Sequence, residues 1–189
     1  MTPLETSLEQ AGLKPTGVGV KLSAYGPHWL HDSPLLEDFT LDEADIVGAG
    51  MFGAQAMAGQ VLVEEGQVGD WMLLLLSGTV DVTRRIGEGD EVARLAVIRA
   101  GAAVGEMSML DGEPRYASCT AIDAVEFAVL TRQAVAALIK DHPGVGAKLL
   151  VKITQLLAQR LRNTTQQLTR LLDSQIQQGA AEHGENRAL

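Results

Sequence analysis

The sequence predicts a mainly β fold of the α+β class, an antiparallel sandwich or barrel with short flanking helices and one long C-terminal helix. Between positions 50 and 130, short apolar or alternating runs are separated by glycines, and a proline-free stretch with helical periodicity follows from position 145. Many short strands with regular turns are typical of antiparallel sandwiches and barrels.

Composition limits the class of protein. Of the 189 residues, 46% are hydrophobic but only 4% are aromatic, so aliphatic side chains and methionine have to build the core. The net charge of −9 argues against a nucleic-acid-binding surface. A single cysteine, Cys119, is typical of a reducing, cytoplasmic location. The longest purely apolar run, Trp71 to Leu76, is too short to cross a membrane, so we expect a soluble protein.

The N-terminal part differs in composition from the strand region. Residues 1–35 mix glycine, proline and polar residues, which predicts a loosely ordered arm with room for one short helix. The run Leu41-Asp42-Glu43-Ala44 is typical of a helix start. We therefore expect a domain at 36–144 in which short helices flank the strands.

Six strands and one short helix are predicted inside this domain. The strands are Gln60 to Glu64, Trp71 to Leu76, Thr79 to Arg84, Glu91 to Ile98, Ser118 to Ala121 and Glu126 to Leu130. A polar hairpin tip, Ile86 to Glu91, joins two of them. The helix runs from Arg132 to Asp141 and is stopped by His142-Pro143-Gly144.

A long helix is predicted over Val145–Gln178, roughly 50 Å in length at 1.5 Å per residue. Its seam alternates spacings of four and three residues, as in a heptad repeat. The seam positions are Leu150, Thr154, Leu157, Leu161, Thr164, Leu168, Leu171 and Gln175. We interpret the seam as a homodimer contact, because a small barrel covers only a few turns; a helix folded back on its own barrel is the alternative. The tail 179–189 is expected to be disordered.

The residues of chemical interest lie in the loop from Val104 to Ser118. Gly105 and Glu106 stand at the start of a short turn, and Arg115 follows nine residues after the carboxylate. A ribose hydroxyl needs a charged acceptor, and a phosphate needs a guanidinium fork and backbone N–H groups. This loop offers all of these groups to one small nucleotide. An ordinary salt bridge between Glu106 and Arg115 is the structural alternative.

Two signatures resemble the cyclic nucleotide-binding domain family, which includes the sensors of the catabolite activator protein and of cyclic-AMP-dependent kinase. The first is the run from Leu62 to Gly78, with glycines at tight turns between strands; the second is the loop just described, which resembles the family's phosphate-binding cassette. The resemblance covers about Asp45 to Leu172. It implies a jelly-roll barrel, that is, a double-stranded β-helix.

The resemblance also implies roles for single residues. Glu106 would accept a hydrogen bond from the ribose 2′-hydroxyl, and Arg115 would pair with the cyclic phosphate. The cassette residues implied at the ligand are Gly105, Glu106, Met107, Ser108, Arg115, Tyr116 and Ala117. Tyr116 departs from the usual small residue. It would swing out, donate its hydroxyl to the phosphate, or fill the site.

A third similarity lies on the long helix. The stretch Leu157 to Gln166 resembles the helix of the catabolite activator protein that carries a Thr-Ser pair at the adenine, one residue from each subunit. Thr164 and Thr165 fall on that pair. A polar device that sets the register of a coiled coil is the alternative. Transcription factors of the family continue with a winged helix-turn-helix, whereas seventeen residues follow Leu172, so we expect no DNA contact.

These similarities imply a receptor for cyclic AMP, with cyclic GMP as a second candidate, that signals to an unidentified effector protein. The alternative is a ligand-free or cyclic-dinucleotide-binding domain that acts as a dimerisation scaffold. An enzyme is not expected. The histidines, at positions 28, 31, 142 and 183, lie outside the strand region, whereas a cupin barrel needs histidine ligands for its metal. Ser118 has no nearby histidine as a base. We expect no metal.

Overall fold

The computed structural model describes residues 13–87 and 91–185, with side chains described as far as Asp173. Within these ranges the strands form two antiparallel sheets. The strands are β1 Lys14–Val18, β2 Phe52–Ala56, β3 Val61–Val63, β4 Trp71–Ser77, β5 Thr79–Arg85, β6 Val92–Arg99, β7 Ala103–Val104, β8 Ser118–Ala121 and β9 Val125–Thr131. One sheet has the order β1-β2-β9-β4-β7 and the other the order β3-β8-β5-β6. The predicted jelly-roll barrel is confirmed.

Each of the six predicted strands is present, with bounds that agree within one residue at either end. Three further strands were missed. β1 contains proline and glycine, β7 has only two residues, and β2 is buried along almost its whole length, so that its sequence Phe-Gly-Ala-Gln-Ala shows no alternation. Strand β2 pairs with both β1 and β9, which is information that no local pattern contains.

One hydrophobic cluster takes side chains from both sheets. Leu73 and Leu75 of β4, Phe127 of β9 and Val80 of β5 are fully buried in it. Met72 and Leu74, on the other face of β4, are buried as well. The apolar run of β4 is therefore explained by burial of the strand on both faces. This strand begins at Trp71, directly beside the candidate site.

The helices are a 3₁₀ turn at Leu22–Tyr25, α1 Gly26–Asp32, α2 Leu41–Ala49, α3 Glu106–Asp111, α4 Arg132–Asp141 and α5 Pro143–Glu185. The bounds of α4 are those predicted. Helix α2 begins with a capping box, in which Thr40 Oγ1 accepts from the Glu43 N–H at 3.2 Å and Glu43 Oε2 accepts from the Thr40 N–H at 2.9 Å. The predicted helix start is thus confirmed.

The segment expected to be a loosely ordered arm is regular over its described part. From Lys14 to Asp32 it forms β1, the 3₁₀ turn and α1, and Leu22, Leu30 and Leu35 are buried. Isolated apolar residues spread among glycine and proline show no periodicity, yet these three leucines lie in the core. Residues 1–12 of the expected arm lie outside the described part of the chain.

Helix α5 is longer than predicted at both ends. It begins at Pro143. Proline lacks an N–H group, but N–H groups in the first turn have no partner within the helix, so proline is well accepted there. The proline that was predicted to stop α4 is therefore the first residue of α5. It continues past Gln178 to Glu185, where a disordered tail was expected; residues 186–189 lie outside the described ranges. The chain divides into two compact units, one ending at Ile153 and the other beginning at Thr154.

The first turns of α5 belong to the first unit, where ion pairs and buried apolar side chains hold them in place. Leu149 and Ile153 are fully buried. Lys148 Nζ lies 2.7 Å from Glu43 Oε2, and Lys152 Nζ lies 2.8 Å from Glu37 Oε1 and also contacts Asp38. The base of the long helix is therefore packed on its own domain, as the alternative interpretation had it, but this is shown only as far as Ile153.

Candidate functional site

The cassette is built from a strand end, a glycine turn and a short helix. Strand β7 ends at Val104, and Gly105 then adopts a left-handed conformation with φ +87° as the N-cap of α3. A second left-handed glycine, Gly112, ends the helix at φ +80°. The N–H groups in the first turn of a helix point away from its body, so those of Glu106, Met107 and Ser108 are directed to the side of the turn where Gly105 lies.

The guanidinium of Arg115 lies inside this turn. Arg115 Nη1 donates to the carbonyl oxygen of Gly105 at 2.8 Å, and Nη2 donates to that of Trp71 at 2.6 Å. Its Cζ lies 4.3 Å from the centroid of the Trp71 ring. The backbone of Arg115 is held as well, since its N–H donates to Gln67 O at 2.8 Å and its carbonyl accepts from the Gly66 N–H at 2.9 Å. The arginine is thus fixed at both ends of its side chain.

Two glycines make room for this guanidinium. A Cβ added to Gly69 would stand 2.6 Å from Arg115 Nη2, and one added to Gly105 would stand 2.6 Å from Nη1. Both distances are shorter than any real contact of a Cβ atom. Gly69 was interpreted from the sequence as a turn glycine; the structure adds that its missing side chain leaves space for the arginine.

The cassette places opposite charges in a buried region. Glu106 is 1% exposed and Arg115 is 4% exposed. Burial lowers the pKa of Arg115, while the charges of Cys119, Asp70 and Glu106 in their ionised forms act in the opposite direction. A guanidinium keeps its charge in proteins despite such a shift. Both side chains are buried, whereas the structural alternative was a salt bridge at the surface.

Tyr116 lies at the surface, next to the buried arginine. Its side chain is 57% exposed, and the Arg84 guanidinium covers the ring with Cζ 3.7 Å from the centroid. Of the three positions considered for this tyrosine, the structure shows the outward one. Ala117, the next residue, is half-buried and leads into β8.

Two contributors to the site were missed by sequence analysis. Trp71 supplies a carbonyl and a ring to Arg115, and Arg132 donates from Nε to Met109 O at 2.5 Å and from Nη2 to Ser108 O at 3.3 Å. Arg132 thereby caps the C-terminal end of α3. Nothing in the local sequence marks either role, since the partners lie 44 and 23 residues away along the chain.

The threonines predicted at the base lie in the second compact unit. Thr164 and Thr165 are exposed on α5, and Thr165 Oγ1 donates to Leu161 O at 2.8 Å within the helix. The structure brings together Gly105, Glu106, Ser108 and Arg115 in the first unit; the contact of Thr164 and Thr165 with a ligand stays a prediction.

Two absences among the described residues bear on other kinds of site. Among the side chains at 13–87 and 91–173, no group of three or more His, Cys, Asp and Glu residues is arranged to hold a metal ion. No helix in the described part of the chain combines the length and the apolar composition that a bilayer crossing needs.

Comparison with known proteins agrees with this geometry. Residues 54–142 match the family model of the cyclic nucleotide-binding domain. A CRP-like cAMP-activated global transcriptional regulator of Mycobacterium tuberculosis is 32% identical over 118 residues, which cover 62% of this chain and 50% of that protein. The chain thus spans half the length of this curated relative.

Two solved structures extend the similarity. A cyclic nucleotide-binding domain from Methylobacillus flagellatus is 35% identical, with 80% of this chain and 84% of that chain covered and a TM-score of 0.69. The catabolite activator protein of Thermus thermophilus is 30% identical, with 74% and 63% covered and a TM-score of 0.67. From the cassette, the two sheets and these matches together, we conclude that the chain belongs to the cyclic nucleotide-binding domain family.

Proposed function

We propose that this chain is a receptor for a cyclic mononucleotide, most favourably cyclic AMP, which signals by a conformational change to a partner protein. The observation that supports this best is the buried guanidinium of Arg115, placed between Gly69 and Gly105, with the buried Glu106 in the same cassette. Burying a charge is costly unless it is paired, and a site that maintains this arrangement is suited to an anionic ligand.

The roles follow from the chemistry of the groups. Arg115 now donates to two neutral carbonyl oxygens. A phosphate oxygen is a stronger acceptor than a carbonyl, because charge-assisted hydrogen bonds are about twice as strong as neutral ones. We propose that Arg115 binds the cyclic phosphate together with the N–H groups of Glu106, Met107 and Ser108. In the same proposal Glu106 accepts from the ribose 2′-hydroxyl.

Cyclic AMP is proposed ahead of cyclic GMP on two grounds. The mycobacterial relative is named as cAMP-activated, and Thr164 and Thr165 fall on a pair that, by resemblance, contacts adenine. Both threonines are exposed on α5, and the Thr165 hydroxyl, which donates to Leu161 O within the helix, can still accept a hydrogen bond. The discrimination between the two bases is therefore assigned to α5 and the affinity for the phosphate to the cassette.

We further propose that Val145–Gln178 of α5 forms a homodimer seam. Leu161, Leu168 and Leu171, which lie on the predicted seam, are exposed by 55% to 68%. Their burial against a second copy would remove apolar surface from water along the helix. A reducing, cytoplasmic setting is part of the proposal, since the buried Cys119 is the only cysteine of the chain.

Ligand binding shifts a conformational equilibrium by no more than the difference in affinity for the two states. The Arg115 contacts to Trp71 and Gly105 connect the cassette with β4, and Arg132 connects α3 with α4. We therefore propose that a movement of the phosphate-binding groups is transmitted to α3 and α4, the helices that precede α5. The effector protein that would receive the signal is not identified by these residues.

Calorimetric titration with cyclic AMP and cyclic GMP tests the proposal. We expect a dissociation constant in the micromolar range or below for one of them, with a matching rise in the melting temperature. Arg115→Ala should abolish binding, while Arg99→Ala, which removes the same charge from exposed β6, should leave it unchanged.

Because Arg115 is buried, its loss has to be separated from unfolding. Glu106→Gln preserves the shape of the side chain and removes its charge, and it should weaken binding with a native melting transition. Binding of neither nucleotide by the native chain would overturn the proposal in favour of a ligand-free scaffold or a cyclic-dinucleotide site. Undiminished binding by Arg115→Ala would overturn the assignment of the phosphate site.

A further inference from the structure

The outward ring of Tyr116 is stacked against a side chain of another strand. Tyr116 directly follows Arg115, whose backbone is fixed by hydrogen bonds to Gly66 and Gln67. The position of the phenol ring is therefore decided by its own side-chain rotamer. The contact that accompanies the outward rotamer is the stacking of Arg84, from β5, at 3.7 Å between Cζ and the ring centroid.

Arg84 is itself held by an ion pair with Glu65. Its Nε lies 3.9 Å from Glu65 Oε1. Glu65 in turn is held, since its Oε2 accepts from the Arg85 N–H at 2.9 Å and its own N–H donates to Ser118 Oγ at 3.0 Å. The guanidinium of Arg84 thus lies beside a glutamate whose carboxylate is bonded to β5 and whose backbone is bonded to β8.

We propose that Arg84 is a positioning residue for the ligand site: it holds the ring of Tyr116 outside the cassette and so keeps the phosphate-binding groups accessible. The inference rests on the proposed function. Without the stacking, the tyrosine can populate a rotamer in which its ring and hydroxyl approach the groups around Arg115. Ligand and ring then compete for the same space, and the apparent affinity falls with the fraction of molecules in the open form.

The size of the effect is bounded by the strength of the stacking. A cation–π contact at an exposed site changes a rotamer equilibrium by about two- to fivefold. Arg84→Ala should therefore weaken cyclic AMP binding measurably, by up to about fivefold, far less than the loss expected for Arg115→Ala. Arg84 is 39% exposed, so its replacement should leave the fold intact.

A double-mutant cycle tests the mechanism. Arg84→Ala is measured alone and in the background of Tyr116→Ser, which removes the ring. Since Arg84 acts through Tyr116, the loss should occur only where the tyrosine is present. Arg85→Ala, which removes the same charge from the next residue, should leave the affinity unchanged. An equal loss with and without Tyr116, or no loss in either background, would overturn the proposal.

A second measurement needs no ligand. In a Tyr25→Phe background Tyr116 is the only tyrosine of the chain, and its nitration by tetranitromethane reports how accessible the ring is. Arg84→Ala should slow the nitration, whereas Arg85→Ala should not. Unchanged or faster nitration of Arg84→Ala would overturn the positioning role. If the native chain binds neither nucleotide, the proposed function fails, but this comparison still decides where the ring lies.

Discussion

Arg115 Nη1 lies 2.8 Å from the carbonyl oxygen of Gly105, and a Cβ at Gly105 would stand 2.6 Å from the same nitrogen. One glycine therefore supplies both the acceptor for the guanidinium and the space in which it lies. Gly69 leaves space for the guanidinium in the same way, because a Cβ there would collide with Nη2. Unlike Gly105, Gly69 does not have a positive φ. Substitution at Gly69 therefore tests space alone.

We predict that Gly69→Ala displaces the Arg115 guanidinium. Overpacking of this kind lowers the free energy of unfolding by about 1–3 kcal/mol, and cyclic nucleotide binding should be weakened as well. Chemical denaturation and calorimetric titration measure the two effects. Gly144→Ala, where a Cβ meets open space in the first turn of α5, is the control and should not reduce stability. A Gly69→Ala protein with native affinity would show that the arginine does not need this space.

Lys152 should matter more for stability than a surface lysine. It is 4% exposed, and its ammonium contacts Glu37 and Asp38, which are themselves well exposed. Lys152→Met preserves the packing of the stem but leaves the carboxylates to water, so we expect a loss of about 1 kcal/mol in the free energy of unfolding. Lys140→Met, at an exposed position of α4, should stay within about 0.5 kcal/mol of the native chain. Equal effects of the two changes would contradict a stabilising role for the buried ammonium.

The neighbouring ion pair of Lys148 and Glu43 predicts how the free energy of unfolding depends on pH under acidic conditions. Hydrogen bonds from Lys148 and from the Thr40 N–H hold the pKa of Glu43 below its ordinary value of 4.5. A depressed pKa in the folded state contributes stability above the unfolded value, and this contribution is lost as the pH falls through the folded pKa. Glu43→Gln should therefore be less stable than the native chain at pH 7, and the difference should shrink below about pH 4.5. Denaturation curves at several pH values measure it; a difference that is constant with pH would argue against this linkage.

Under alkaline conditions the contribution of Lys152 to the free energy of unfolding depends on pH in the opposite direction. Burial lowers its pKa, but hydrogen bonds to Asp38 and Glu37 outweigh burial and raise the pKa above the ordinary 10.5. The contribution of Lys152 is therefore complete below pH 10.5 and lost as the pH rises through the folded pKa. The difference between Lys152→Met and the native chain should accordingly be independent of pH from 7 to 9 in denaturation experiments. A difference that declines within this range would contradict the raised pKa.

The proposed dimer predicts a change in molecular mass on substitution at the seam. Leu161 and Leu168 are exposed on α5, so Leu161→Lys with Leu168→Lys should not disturb the domain. Like charges that face each other across a seam oppose association, and we expect monomers in sedimentation equilibrium where the native chain is a dimer. Gln166→Lys, off the seam, is the control. Dimers that persist in the double variant would place the contact elsewhere.

Local sequence patterns were sufficient for most of the elements. Strand β4 is recognisable because a short apolar run bounded by glycines has the length of a buried strand and is too short for a typical helix. Helix α4 is recognisable because its periodicity begins after a threonine and ends before a proline. The cassette was recognisable from Gly105, Glu106 and Arg115, since their chemistry depends on residue type and spacing. Strand β2 was not, because burial along most of its length removes the alternation that identifies a strand.

By itself the sequence predicted six of the nine described strands, helix α4, the long helix and the charged groups of the cassette, because periodicity, turn residues and residue chemistry act within short windows. The jelly-roll barrel was implied by the resemblance to a family. Only the tertiary structure decided that Gly69 makes room for Arg115, that Arg132 caps α3, and that Tyr116 is stacked outward under Arg84. The physical reason is the same each time. These contacts join residues 23 or more positions apart, and their geometry depends on strands that meet only when the two sheets are formed.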